Sequence, residues 1–157
     1  MAIKPIPHGY EGAIPHLVVS GAVAAIEFYA KAFGAEEVWR SPAPDRKRLM
    51  HVDLRIGSSH IFLCDDFPEY SGGKERHPNA LGGSAVTVHL YVEDCDAVIE
   101  RAERAGATVT MEPQDMFWGD RYGQVKDPFG HTWSFATHVK DVTPEEMAAA
   151  ARAAFGG

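Results

Sequence analysis

The sequence predicts an α+β fold: two tandem βαβββ modules forming a cupped mixed sheet with helices outside. Three observations predict it. The stretch His16–Glu27 returns as His89–Glu100, with Leu17 over Leu90, Val19 over Val92, Ile26 over Ile99 and Glu27 over Glu100. Each copy runs from an alternating β-rich stretch through a helix-spaced apolar run to a glycine, and then into three further β-type runs. One such copy is too small to bury both faces of its sheet, so the repetition itself points to two units side by side, with equivalent residues facing a shared interior.

The elements follow in order. Val19 ends the first strand of copy one and Val92 that of copy two. Ser20 in one and Asp94 in the other can accept from the first free backbone N–H groups of a helix. Val23, Ile26 and Ala30 line the first helix; Ala97, Val98, Ile99 and Ala102 line the second. Gly34 and Gly106 suit the left-handed position just past a helix end. The next strands are Glu36–Trp39 and Thr108–Met111. The last two strands of the first copy, Arg48–Arg55 and His60–Cys64, are joined by Ile56–Ser59. Those of the second, Arg121–Lys126 and His131–Ala136, are joined by Asp127-Pro128-Phe129-Gly130, with Pro and Gly where a tight turn uses them. The chain thus reads as one domain made of modules 12–66 and 84–138. The segment 67–83, rich in Gly, Pro and charge, is expected to be a mobile connection. A C-terminal helix over 143–155 opens on Thr143-Pro144-Glu145-Glu146, a capping box with Pro at the first helical position.

Composition narrows the function. The chain has 157 residues, is 45% hydrophobic and carries a formal charge of −7. An acidic surface without a Lys/Arg block argues against nucleic acid and against an anionic membrane as partners. No apolar run reaches a membrane span, and the first residues form no signal-peptide pattern. Cys64 and Cys95 lack metal-type spacing and read as free thiols of a cytoplasmic protein.

On these segments the chain resembles the vicinal oxygen chelate superfamily, which includes glyoxalase I, extradiol dioxygenases and bleomycin-resistance proteins. The paired modules match across residues 12–138. Within it, the chain resembles the PhnB-like subgroup through Ala25–Tyr29, Ala32–Ala35, Leu90–Asp94, Phe117–Gly123 and Asp127–His131. The resemblance implies a small-molecule pocket between the modules, commonly with one divalent ion (Zn, Ni, Mn or Fe) held from the first and last strands of each module. His16 and His89 fall on the two first-strand positions. The final-strand glutamate of the second module is replaced by Ser134, and the first module offers Ile61 or Leu63 at the corresponding stretch. This is half a metal site, and the general base is unknown.

Other candidates surround that half site. His51 can share the interior if its strand turns that face inward, and His60 can do so in another register. His131, at a turn, is expected to face solvent or cap its strand. In Phe117–Gly123, Trp118 reads as a flat pocket wall, Arg121 as an anion clamp or as the ion partner of Asp120 or Asp127, and Tyr122 as a hydroxyl donor; Tyr91 completes the pocket set. Two functions follow. One is a metal-dependent lyase or isomerase of the glyoxalase type. The other is a metal-free protein that sequesters a ligand, as bleomycin-resistance proteins do. Either is expected to work as a homodimer, since pairing covers open sheet edges and the apolar end of the last helix at Phe155.

Overall fold

A computed structural model describes residues 3–156, and the chain divides between Gly83 and Ser84 into two units. In the first unit, β1 (His16–Val19) is followed by α1 (Ala22–Phe33), β2 (Glu36–Pro42), β3 (Leu49–Ile56) and β4 (Ser59–Asp65). The sheet order is β1-β4-β3-β2. β1 runs parallel to β4, and the remaining pairs are antiparallel. A 3₁₀ turn at Pro68–Tyr70 and a short helix, α2 (Pro78–Leu81), lie in the segment expected to be a plain connection. Proline at the first position starts each of them, because its missing N–H is one that a helix start leaves unpaired anyway.

The second unit repeats the plan. β5 (Thr87–Tyr91), α3 (Cys95–Ala105), β6 (Thr108–Asp115), β7 (Asp120–Lys126) and β8 (Thr132–His138) form a sheet of order β5-β8-β7-β6, again with one parallel pair, β5 with β8. α4 (Pro144–Phe155) follows, and both bonds of the expected capping box are made between Thr143 and Glu146. The two sheets with their helices form the α+β architecture that the repeat predicts.

Alternation along each strand builds the cores. Leu17, Val19, Val52, Leu54, Ile61 and Leu63 are buried on the side of the first sheet that meets Ala25, Ile26, Tyr29 and Phe33 of α1. Val125, Trp133 and Phe135 do the same against Ile99 and Ala102 of α3. Gly123 on β7 is needed for that approach: a Cβ there would lie 3.3 Å from the Ile99 Cδ1 and 3.1 Å from the Met111 carbonyl oxygen.

Three local expectations are revised. Ser20 does not cap α1. The N-cap is Gly21, in the left-handed region at φ 99°, and the acceptor comes from β4: Asp65 Oδ1 takes the N–H of Gly21 and of Ala22, both at 2.9 Å. Asp65 Oδ2 takes the Leu49 N–H at 2.7 Å. In the second unit Asp94 caps α3 through the Ala97 N–H, as expected, and Thr137 Oγ1 accepts from Cys95 N at 2.9 Å. His131 is buried rather than at the solvent. The turn before it closes around buried Asp127, which accepts from Phe129 N and His131 N at 2.9 Å and from the Trp133 indole at 2.8 Å. Finally, β1 pairs with β4 so that Phe62, not Ile61 or Leu63, stands beside His16.

Candidate functional site

Each sheet has a helix-packed face and an open face, and strand parity decides which residues share the open one. In the first unit the open face carries His16 and Phe62, paired across β1 and β4, with His51 on β3. The rings lie close. His51 meets Phe62 at 4.6 Å between centroids, His16 at 5.7 Å and Trp39 at 5.8 Å. His16 is held below the usual imidazole pKa, chiefly by desolvation and then by the charges of His51 and Arg76. At the other end of the face Asp53, 5% exposed, accepts from Tyr10 Oη at 2.6 Å and from His60 Nδ1 at 2.7 Å, while the Tyr10 ring lies 4.2 Å from that of His60. The bond to Asp53 raises the pKa of Tyr10.

In the second unit the register sets His89 beside Ser134, and His89 Nδ1 and Ser134 Oγ hydrogen-bond at 2.7 Å. The His89 ring stacks on Tyr122 at 6.0 Å and meets Tyr91 edge-on at 5.1 Å. Trp118 stands 5.9 Å from Tyr122, and Gln124 Nε2 donates to the Tyr122 hydroxyl at 2.7 Å. Asp120, 5% exposed, anchors the end of this face: it accepts from Tyr91 Oη at 2.9 Å and from His138 Nδ1 at 2.8 Å. Burial pushes the Asp120 carboxyl up, but the bonds from His138 and Tyr91 outweigh it and leave it lowered. His138 Nε2 meets Asp141 at 2.9 Å, and its pKa is raised by Asp141 and Asp120.

The residues singled out in the sequence therefore divide. His16 and His51 share one face; His89, Ser134, Tyr91, Tyr122 and Trp118 share the other. Arg121 does not join them. Its place on β7 is the opposite parity, and its guanidinium pairs with Asp96 of α3, through Nη2 at 2.7 Å, and with Asp115 at 3.1 Å; neither Asp120 nor Asp127 is its partner. Trp39, Phe62 and Asp53 were not singled out, and Asp120 was named only as a partner for Arg121. The parity of β3 and β4 around His51 could have found Phe62 and Asp53. Tyr91 and His138 meet Asp120 only through the fold.

The donor set does not fit a resident divalent ion. Among the described residues no group of three or more His, Cys, Asp or Glu side chains is placed to hold one. His89 Nδ1 is engaged by Ser134, and the carboxylates of the open faces, Asp53 and Asp120, are each held by a tyrosine and a histidine. Cys64 is half-buried and Cys95 buried, both free, and burial raises the pKa of each thiol, which leaves them poor nucleophiles at neutral pH. Among the described residues no helix is long and apolar enough to cross a membrane.

Residues 13–135 match the family model of the Glyoxalase/Bleomycin resistance protein/Dioxygenase superfamily. The chain belongs to that superfamily. This superfamily member is 52% identical over 136 residues to the uncharacterized protein Mb0911c of Mycobacterium bovis, covering 87% of this chain and 89% of the relative. It is also similar to the uncharacterized protein At5g48480 of Arabidopsis thaliana, 36% identical over 130 residues, 77% of this chain and 74% of the relative. The crystal structure of the At5g48480 product superposes with a TM-score of 0.64 at 30% identity, covering 81% of this chain and 98% of that one. TioX from Micromonospora superposes with a TM-score of 0.61 at 27% identity, covering 82% and 100%.

Proposed function

We propose that this superfamily member binds a small planar organic molecule on the open faces of its modules, by ring stacking and hydrogen bonds, without a resident metal. One observation carries the reading. Both faces keep large rings accessible that a purely structural sheet would bury, with Trp39 57% and Tyr91 65% exposed beside His51, Phe62, His89 and Tyr122. Hydroxyl and imidazole groups between the rings supply orientation, as in ordinary ligand sites. The nearest description is a sequestering protein of the bleomycin-resistance type, most akin to PhnB-like members through the Phe117–Gly123 and Asp127–His131 segments, acting in the cytoplasm as a homodimer. Support for the dimer is the edge position of β1, β2, β5 and β6 in their sheets and the 80% exposure of Phe155.

The rival reading, a metal-dependent lyase or isomerase, has the equivalent placement of His16 and His89 in its favour. Against it stand Ser134 and Phe62 at the strand positions where a carboxylate ligand belongs. The test is a thermal-shift series with planar aromatic compounds, run on protein before and after treatment with a chelator. Binding raises the melting temperature by mass action, so the proposal expects equal stabilisation in both samples. Stabilisation that vanishes on chelation and returns with Zn, Ni or Mn supports the metal enzyme instead.

A further inference from the structure

The chain carries a formal charge of −7, yet the open face of its first module holds little free negative charge. Both oxygens of Asp53 are engaged by Tyr10 and His60. Asp65 serves three backbone N–H groups. Asp66 Oδ2 takes the N–H of Arg76 at 2.6 Å and of His77 at 2.9 Å. The cation at this end of the face is in the opposite condition. Arg40, Arg48, Arg55, Arg104 and Arg121 each pair with a carboxylate. The Arg76 guanidinium has no hydrogen bond or ion pair among the described residues.

Its surroundings make that vacancy chemically specific. Arg76, Val18, Cys64, Phe67, Tyr70 and Ser71 line a cavity of about 200 Å³ together with Asp65 and Asp66, the two carboxylates that accept from backbone N–H groups. Val18 and Cys64 pair across β1 and β4 two residues beyond His16 and Phe62, so the cavity continues the same open face. Val18 and Phe67 supply apolar surface to that lining, and the Tyr70 ring is 72% exposed. A planar, weakly hydrated guanidinium matches a two-oxygen anion through parallel N–H bonds.

Resting on the small-molecule reading above, we infer that the first module selects ligands bearing an anionic group, a carboxylate or sulfonate, on a planar apolar body, with the anion on Arg76 and the body against Phe62, His51 and Trp39. The carboxylates nearest Arg76 accept from backbone N–H groups rather than from its guanidinium.

Three probes of one size test it: 2-naphthoate, 2-naphthol and 2-naphthylmethylammonium, titrated calorimetrically into the full chain. The naphthoate is expected to bind about tenfold more tightly than the other two, the scale of one charge-assisted pair. Its affinity falls as salt is raised, and that of naphthol does not. Arg76→Gln removes the preference and leaves naphthol binding as it was, and Arg76→Lys restores part of it. Arg76 is exposed, so neither change threatens the fold. Equal affinity for the three probes, or an unchanged naphthoate affinity in Arg76→Gln, overturns the anion preference and leaves the pocket standing. Absence of binding by every probe to folded protein overturns the pocket reading and this inference with it.

Discussion

Replacing Asp65 by Ala removes a carboxylate that joins three elements. It caps α1 through Gly21 and Ala22 and ties the start of β3 through Leu49, at 2.9, 2.9 and 2.7 Å. Ala22 and Leu49 are buried, so their N–H groups lose a partner that water does not readily replace, whereas Gly21 is exposed and recovers one. An unsatisfied buried donor costs about 1–3 kcal/mol, and losing an N-cap acceptor costs about 1. Allowing for some water entry beside Ala22, the expected loss is about 3 kcal/mol, or roughly 6–12 °C in melting temperature for a chain of this size. Asp65→Asn keeps one acceptor oxygen but turns an N–H toward a donor, and is expected to lose about 2 kcal/mol. Thr137→Val, which removes the corresponding acceptor for Cys95 N in the second module, is expected to lose about 1 kcal/mol. Urea denaturation followed by circular dichroism reads all three as midpoint shifts at unchanged slope. A loss below about 1 kcal/mol for Asp65→Ala refutes the claim that this carboxylate caps the helix from the sheet.

Four further outcomes are expected. Because the folded-state pKa of His138 is raised, its contribution to stability is complete below the unfolded value of about 6.5 and is lost as pH rises through the higher folded value. His138→Gln should flatten the stability profile in that window. The lowered pKa of Asp120 acts in the other direction, giving stability above about pH 4 that disappears as pH falls; Asp120→Asn should remove that acid-side loss. Gly119→Ala would place a Cβ 2.0 Å from the Lys140 carbonyl oxygen at φ 97°, so a loss of about 3 kcal/mol and a disturbed Trp118 environment are expected by calorimetry and near-UV dichroism. Sedimentation at micromolar concentration should show twice the 17.1 kDa chain mass, and a species at the single-chain mass counts against the dimer.

The repeat was legible because its cues are local. Glycines at both helix ends, the Asp94 cap and the Thr143 capping box need only neighbours a few residues away, and each is where the sequence puts it. The readings that failed depend on partners far along the chain. Ser20 satisfies the rule for a cap, but Asp65, 44 residues away from Gly21, occupies the place. Arg121 sits in an aromatic cluster by sequence, and only the strand's parity turns it toward Asp96. His131 follows a turn, and buried Asp127 draws the whole turn inward. For the site, the matched histidines announced the open faces, while the carboxylates that anchor those faces could not be assigned partners before the strands were paired.

Binding of small planar molecules on these two ring-bearing faces, without a metal, is the proposed function. Heteronuclear NMR of the imidazole and aromatic side chains, recorded on chelator-treated protein during titration with 2-naphthoate, tests it most directly. Saturable shifts are expected at His16, His51 and the Trp39 indole of the first face and at His89 and Tyr122 of the second, while buried Trp133 and His131 stay unmoved. Shifts that appear only after a divalent ion is added, or that fall on the helix-packed sides of the sheets, contradict it.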